Sequence, residues 1–250
     1  MGIHLSVAGK GGTGKTTFAA LAVRCLEDQG KVPILAVDAD ANANLNEALG
    51  LEVDLTISEI LSETKAAKDV PVGMTKDAYI ELRLNESLAE GRHVDLLVMG
   101  GPEGPGCYCF PNEILKRHVE RLSENYPYMI MDNEAGLEHL SRRLARDVDV
   151  LFVTSDPTVR GIRSAGRVKG LCKSLKLNIG RVLLVVTKVR QGDLEALAPE
   201  IQKTGLDLAG TVPLDGEVAR RDLEGEPLVD LPGDSPALQA VCEILQSVGA

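Results

Sequence analysis

Residues 9 to 16 read Gly-Lys-Gly-Gly-Thr-Gly-Lys-Thr, which satisfies the pattern GxxxxGK[ST]. Each residue type in that pattern has a chemical task. Gly9, Gly11, Gly12 and Gly14 let the backbone N–H groups of the segment, those of Lys10 and Thr13 included, turn inward on a chain of phosphates. Lys15 has the reach to meet the β- and γ-phosphates, and the Thr16 hydroxyl suits the Mg²⁺ that bridges them and neutralises charge during phosphoryl transfer. With Thr17 the segment Gly9 to Thr17 is expected to hold the phosphates of a nucleotide. The glycines also fit GxGxxG, so a dinucleotide turn competes, with Asp38 or Asp40 roughly where a ribose-binding carboxylate would fall. Lys15 followed by Thr16 and Thr17 decides for the nucleoside triphosphate, because a dinucleotide site has no use for them.

Three carboxylates follow apolar runs: Asp38 and Asp40 come after Val37, and Asp132 comes after Met131. The ends of buried parallel strands are where such sheets place their ligands. Asp132 has the setting of a Walker B aspartate, which holds the metal through its water shell, and Gly136 would let the backbone approach the γ-phosphate. The plain alternative for Asp38 or Asp40 is to cap the helix expected near Asn44.

Cys107 and Cys109 stand in a glycine and proline loop after the apolar run ending at Met99. Two thiolates one residue apart can bind a soft or borderline metal, but they supply two ligands where a closed tetrahedral site needs four. A two-fold homodimer would complete the set. A redox dithiol and two incidental cysteines are the competing readings. Cys25, Cys172 and Cys242 fall in apolar helical patterns and read as buried core thiols. Five cysteines are an odd number, so no disulfide framework is expected and a reducing cytoplasm fits. His4, His93, His118 and His139 show no ligand spacing.

These residues need a scaffold. Apolar runs suited to buried strands cover Gly2 to Ala8, Pro33 to Val37, Val94 to Met99, Tyr128 to Met131, Val148 to Val153, Val182 to Val186 and Leu208 to Val212. Helical periodicity covers Thr16 to Gln29, Asn112 to Asn125, Leu137 to Arg146, Val159 to Leu175, Leu194 to Thr204 and Ser235 to Val248. The alternation predicts an α/β fold in one domain over residues 1–250: a doubly wound, mainly parallel β-sheet flanked by helices, of the P-loop NTPase kind. Leu51 to Gly91 reads as short amphipathic pieces without a clear place in it. A net charge of −10 argues against nucleic acid and anionic membrane surfaces. No apolar stretch reaches the roughly 18 residues a membrane span needs.

The extra Lys10 resembles the deviant phosphate loop of the dimeric ATPases that include the nitrogenase iron protein and the septum-site-selecting ATPase. That resemblance implies that Lys10 acts across a dimer on the partner's nucleotide, that Asp40 orients the attacking water and that Asp38 supports Mg²⁺. It also places base recognition at Thr187 and Lys188, where many relatives carry an asparagine, and at Pro213 and Leu214. The runs Pro102 to Cys109 and Asp132 to His139 closely resemble the CooC-type nickel-insertion accessory ATPases of carbon monoxide dehydrogenase, and the likeness covers nearly the whole chain. It implies Ni²⁺ or Zn²⁺ at Cys107 and Cys109, shared across a homodimer, and a carbon monoxide dehydrogenase or acetyl-CoA synthase as client. An iron–sulfur reductase of the nitrogenase type takes its cysteines from two separated segments, and here Asn133 stands near the second. A membrane-positioning or partitioning ATPase would show a basic terminal helix, and Ser235 to Val248 holds no lysine or arginine.

Overall fold

A computed structural model of the chain describes residues 2–65, 71, 73–101, 117–134, 148–175 and 177–250. The seven expected strands form β1 (Ile3–Gly9), β2 (Ile34–Ala39), β4 (Val94–Val98), β5 (Tyr128–Asn133), β6 (Val148–Ser155), β7 (Ile179–Val189) and β8 (Asp207–Pro213). An eighth, the two-residue β3 (Ala89–Glu90), pairs antiparallel with β4 at one edge. The order is β3-β4-β2-β5-β1-β6-β7-β8, and every pair except β3 with β4 is parallel.

Helices cover both faces: α1 (Lys15–Asp28), α2 (Leu45–Leu49), α3 (Ile57–Lys65), α4 (Lys76–Glu86), α5 (Val159–Ser174), α6 (Asp193–Thr204), α7 (Gly216–Glu224) and α8 (Pro236–Val248). Alternate residues of each strand divide between two cores, as the pleat requires. Ile34, Ala36, Ile130 and Phe152 belong to the core shared with α1 and α8, whereas Leu35, Val37, Met131 and Leu151 belong to the core on the other face, shared with α3, α5 and α6. Strands buried on both faces read as continuous apolar runs, which is why they were visible without periodicity.

Within residues 51–91 the described residues form α3, α4 and β3. Thr75 caps α4 by accepting from the Ala78 N–H at 3.2 Å, and Arg83 pairs with Glu63 of α3 at 3.1 Å. Helix α7 escapes sequence reading because it is short and mostly charged: none of its residues is fully buried, Val218 packs only partly against the core, and Leu223 faces solvent. Within it Arg220 pairs with Glu217 and Glu224, and just past its end with Glu226.

One expectation is corrected. Cys25 and Cys242 are joined in a disulfide, although 217 residues separate them and no disulfide was expected. The reason is tertiary: α1 and α8 lie side by side on one face of the sheet, which brings the two Cα atoms to 5.5 Å. Cys172 is a free, buried thiol as expected. The helix expected over Leu137 to Arg146 lies outside the described residues. Of Asn112 to Asn125, residues 117–122 are helical and Ser123–Asn125 form a 3₁₀ turn.

Candidate nucleotide site

The phosphate loop leaves the C-terminal end of β1, the strand at which the sheet order reverses direction. Crevices at such switch points are where open α/β sheets bind ligands. Gly9 lies against β6 so closely that a β-carbon would stand 2.5 Å from Thr154 Oγ1 and 2.6 Å from the Thr154 carbonyl oxygen. Gly14, at φ 72°, delivers the chain into α1 in a left-handed conformation that a β-carbon disfavours.

The loop carbonyls are held away from the crevice. Lys10 O accepts from the Thr13 N–H at 3.3 Å and from Thr13 Oγ1 at 2.7 Å. Thr13 Oγ1 also lies 2.8 Å from Thr154 Oγ1. Thr13 and Lys15 are buried and Lys10 is exposed. A glycine loop opening a fourteen-residue helix, with N–H groups and a positive dipole end at its mouth, is an anion site by construction.

The carboxylates converge as expected, with Asp38 and Asp132 opposite each other in the β2–β5 register. Asp132 is 1% exposed, and its Oδ2 accepts the Thr16 hydroxyl at 2.5 Å. Its Oδ1 is buried without a hydrogen-bond partner. Burial, with the nearby Asp38 and Asp40 charges, pushes the Asp132 carboxyl up to about 7 against the pull of Thr16 and Lys15. Asp38 makes the helix-start contact that was its alternative reading. Its two oxygens accept main-chain N–H groups, from Asp40 at 3.0 Å and from Leu45 at 2.9 Å. Asp38 therefore pins the β2–α2 loop and the start of α2, and the open carboxylate oxygen belongs to Asp132. Asp40 is half-buried, and its Oδ1 accepts from the Asn42 N–H at 2.9 Å.

Beside the loop lies a cleft of about 270 Å³ between α1 and the β8–α7 connection, lined among others by Thr17, Phe18, Thr187, Pro213, Leu214 and Asp222. It holds the four residues expected at a base. Thr187, however, donates its hydroxyl to the Thr13 carbonyl at 2.8 Å, and Lys188 donates to the Gly12 carbonyl at 2.9 Å, so both are turned on the phosphate loop. Gly136, Cys107 and Cys109 lie outside the described residues. Among the described residues no group of three or more His, Cys, Asp or Glu could hold a metal ion, and no helix is long and apolar enough to cross a membrane.

Two acidic residues of the cleft were missed. Asp222 lines it from α7, a helix the sequence did not reveal. Asp215 accepts from the Glu217 N–H at 2.9 Å, from Ser235 Oγ at 2.7 Å and from the Ala237 N–H at 3.2 Å, so one carboxylate starts both α7 and α8. The Asp-Gly-Glu and Ser-Pro sequences at residues 215 and 235 carry helix-start signals that could have disclosed it. Burial works against the charged form of Asp215, but bonds from Ser235, Ala237 and Glu217 outweigh it and hold the carboxyl below its usual range. The stabilisation is therefore present above about pH 4 and lost as pH falls through the lower folded value. Asp215→Ala is expected to cost about 2 kcal/mol in urea unfolding near neutral pH, because two helix starts lose their acceptor. A loss under about 0.5 kcal/mol would show that the caps are made good by water.

Strand order, phosphate loop and strand-end carboxylates together define a P-loop nucleotide-binding ATPase. The family model of the CobQ/CobB/MinD/ParA nucleotide binding domain matches residues 5–228, and the chain belongs to that family. It is 40% identical over 247 residues to an uncharacterised ATP-binding protein of Methanocaldococcus jannaschii, covering 98% of this chain and 97% of the relative. It is also 27% identical to the carbon monoxide dehydrogenase accessory protein CooC of Rhodospirillum rubrum, covering 94% of this chain and 91% of that one. The fold is similar to that of the septum site-determining protein MinD of Pyrococcus horikoshii complexed with Mg-ADP, with a TM-score of 0.74, 22% identity, and coverage of 99% of this chain and 96% of that one.

Proposed function

We propose that the chain is an ATP-dependent nickel chaperone that works as a homodimer in the cytoplasm and delivers its metal to carbon monoxide dehydrogenase or acetyl-CoA synthase. The observation that carries the ATPase half is the buried, unpartnered Asp132 Oδ1 beside the Thr16 hydroxyl and Lys15, a set of hard oxygens at a strand end that fits Mg²⁺. Thr16 and Asp132 would hold the ion, which neutralises charge on the phosphates and the leaving ADP. The loop N–H groups left open by the fold bind the phosphate oxygens, the Thr13 N–H being taken by the Lys10 carbonyl, and Lys15 places its charge on the β- and γ-phosphates. Asp40 orients the attacking water, Asp38 keeps the Asp40 segment in place, and the backbone at Gly136 meets the γ-phosphate. The exposed Lys10 reaches the partner's nucleotide. Pro213 and Leu214 border the base, with Thr187 and Lys188 at its phosphate side.

The nickel half rests on the likeness to CooC and on the Cys107, Cys109 pair. Each chain brings two thiolates, so one Ni²⁺ or Zn²⁺ per dimer satisfies four-coordination on the two-fold axis. Metal binding and dimerisation then strengthen each other by the same factor, and both weaken as pH falls and protons compete for sulfur. Light scattering during nickel titration should show mass doubling in the parent at one metal per two chains. The variant with Cys107→Ser and Cys109→Ser should bind ATP normally and stay monomeric under metal. One metal per monomer without change of mass, or undiminished metal binding by the variant, would overturn the shared site.

A further inference from the structure

Successive residues of an extended strand send their side chains to opposite faces. Thr187 and Lys188, at the end of β7, do not. Thr187 Oγ1 donates to Thr13 O at 2.8 Å and Lys188 Nζ donates to Gly12 O at 2.9 Å, so consecutive residues of the strand take consecutive carbonyls of the phosphate loop. The backbone shows how: Lys188 stands at φ 57°, and the register with β8 shifts between Val186 and Val189. A β-carbon disfavours that left-handed conformation, and lysine has no side-chain bond to its own backbone that would compensate, as asparagine has. Lys188 is exposed, so no burial in the core demands it. Strain of this kind persists where the surrounding structure enforces it and clusters at working sites.

Resting on the nucleotide reading above, we propose that Thr187 and Lys188 form a two-pronged clamp that presets the phosphate loop, with the left-handed turn at Lys188 bringing the second prong to the same face as the first. In a trans peptide the C=O and N–H point in opposite directions. Anchoring Thr13 O on Thr187 therefore aims the Gly14 N–H away from β7. Anchoring Gly12 O on Lys188 keeps the Thr13 N–H on Lys10 O, the bond that closes the turn. The loop then presents its remaining donors, the Gly14 N–H among them, before any anion arrives, and ordering it costs the ligand less. Across the cleft Lys188 feels the attraction of Asp222 on α7 without an ion pair between them, and its hydrogen bond goes to the loop.

The test is ADP affinity by calorimetry, paired with thermal unfolding, on the full chain. Lys188→Gly should bind ADP about tenfold more weakly, the equivalent of one charge-assisted hydrogen bond. Its thermal midpoint should not fall below the parent's, because glycine removes the backbone strain. Lys188→Arg should keep parent affinity to within about threefold, since the donor and charge remain. Parent-like affinity in Lys188→Gly would overturn the clamp. So would an affinity loss that tracks a lowered midpoint and is not restored in Lys188→Arg, which is the signature of general loosening. A parent chain that binds no adenine nucleotide would overturn the nucleotide reading itself, a result distinct from either of these.

Discussion

Lys15→Ala is expected to lower kcat/KM for ATP hydrolysis by on the order of 10³ or more, leaving the chain folded. The buried ammonium sits at the first residue of α1, where it can stabilise charge that builds on the β- and γ-phosphates as the bond to the leaving group breaks. Removing it takes away an interaction that is stronger in the transition state than in the ground state, so kcat should fall along with affinity. Phosphate release assays at saturating ATP measure this directly. Asp40→Asn makes the contrast: it should leave nucleotide binding near the parent value and lose hydrolysis, because an amide still accepts the Asn42 N–H but orients water poorly. Hydrolysis by Asp40→Asn at the parent rate would remove Asp40 from the reaction and move the search for a water-orienting group elsewhere in the β2–α2 loop.

Asp132→Asn should separate stability from function. The carboxyl is buried, faces Asp38 in the sheet register and has one oxygen without a partner, so ionising it is costly in the nucleotide-free chain. Its value in the fold, about 7, lies above the 3.8 of an unperturbed aspartate. The sign follows: the contribution to stability is fully present below about pH 4 and is lost as pH rises through 7, since only the unfolded chain releases the proton in that window. The amide never ionises, so Asp132→Asn should unfold at equal or higher urea concentration than the parent above pH 7, while Mg²⁺-dependent ATP turnover falls by a factor on the order of 10² to 10³. The parent should release a proton when Mg-ADP binds below pH 7, which calorimetry in buffers of different ionisation enthalpy detects. A variant that turns over ATP with the parent's Mg²⁺ dependence would take the metal away from Asp132.

Seven of the eight strands, the phosphate loop and the convergence of Asp38, Asp40 and Asp132 were legible in the residues because they rest on local rules. Buried parallel strands are continuous apolar runs, glycine spacing and a terminal Lys-Thr encode an anion loop, and parallel strands deliver their C-terminal ends to one side. What stayed hidden depends on which elements become neighbours. Helix α7 is short and mostly charged and lays little more than Val218 against the core, so only a faint periodicity marks it. Cys25 and Cys242 meet only because α1 and α8 pack together. Asp38 reads as either a metal-side carboxylate or a helix cap, and only the fold shows its oxygens accepting the Asp40 and Leu45 N–H groups. Thr187 reads as a base contact until β7 is placed beside the loop and its hydroxyl finds Thr13. The sequence alone determined the fold class and the chemistry of the site, since composition, spacing and hydrophobic pattern act within a few residues of themselves. The tertiary structure decided which lone pair and which donor remain open, because a side chain's hydrogen bonds are settled by whatever polar group the fold brings within about 3 Å of it.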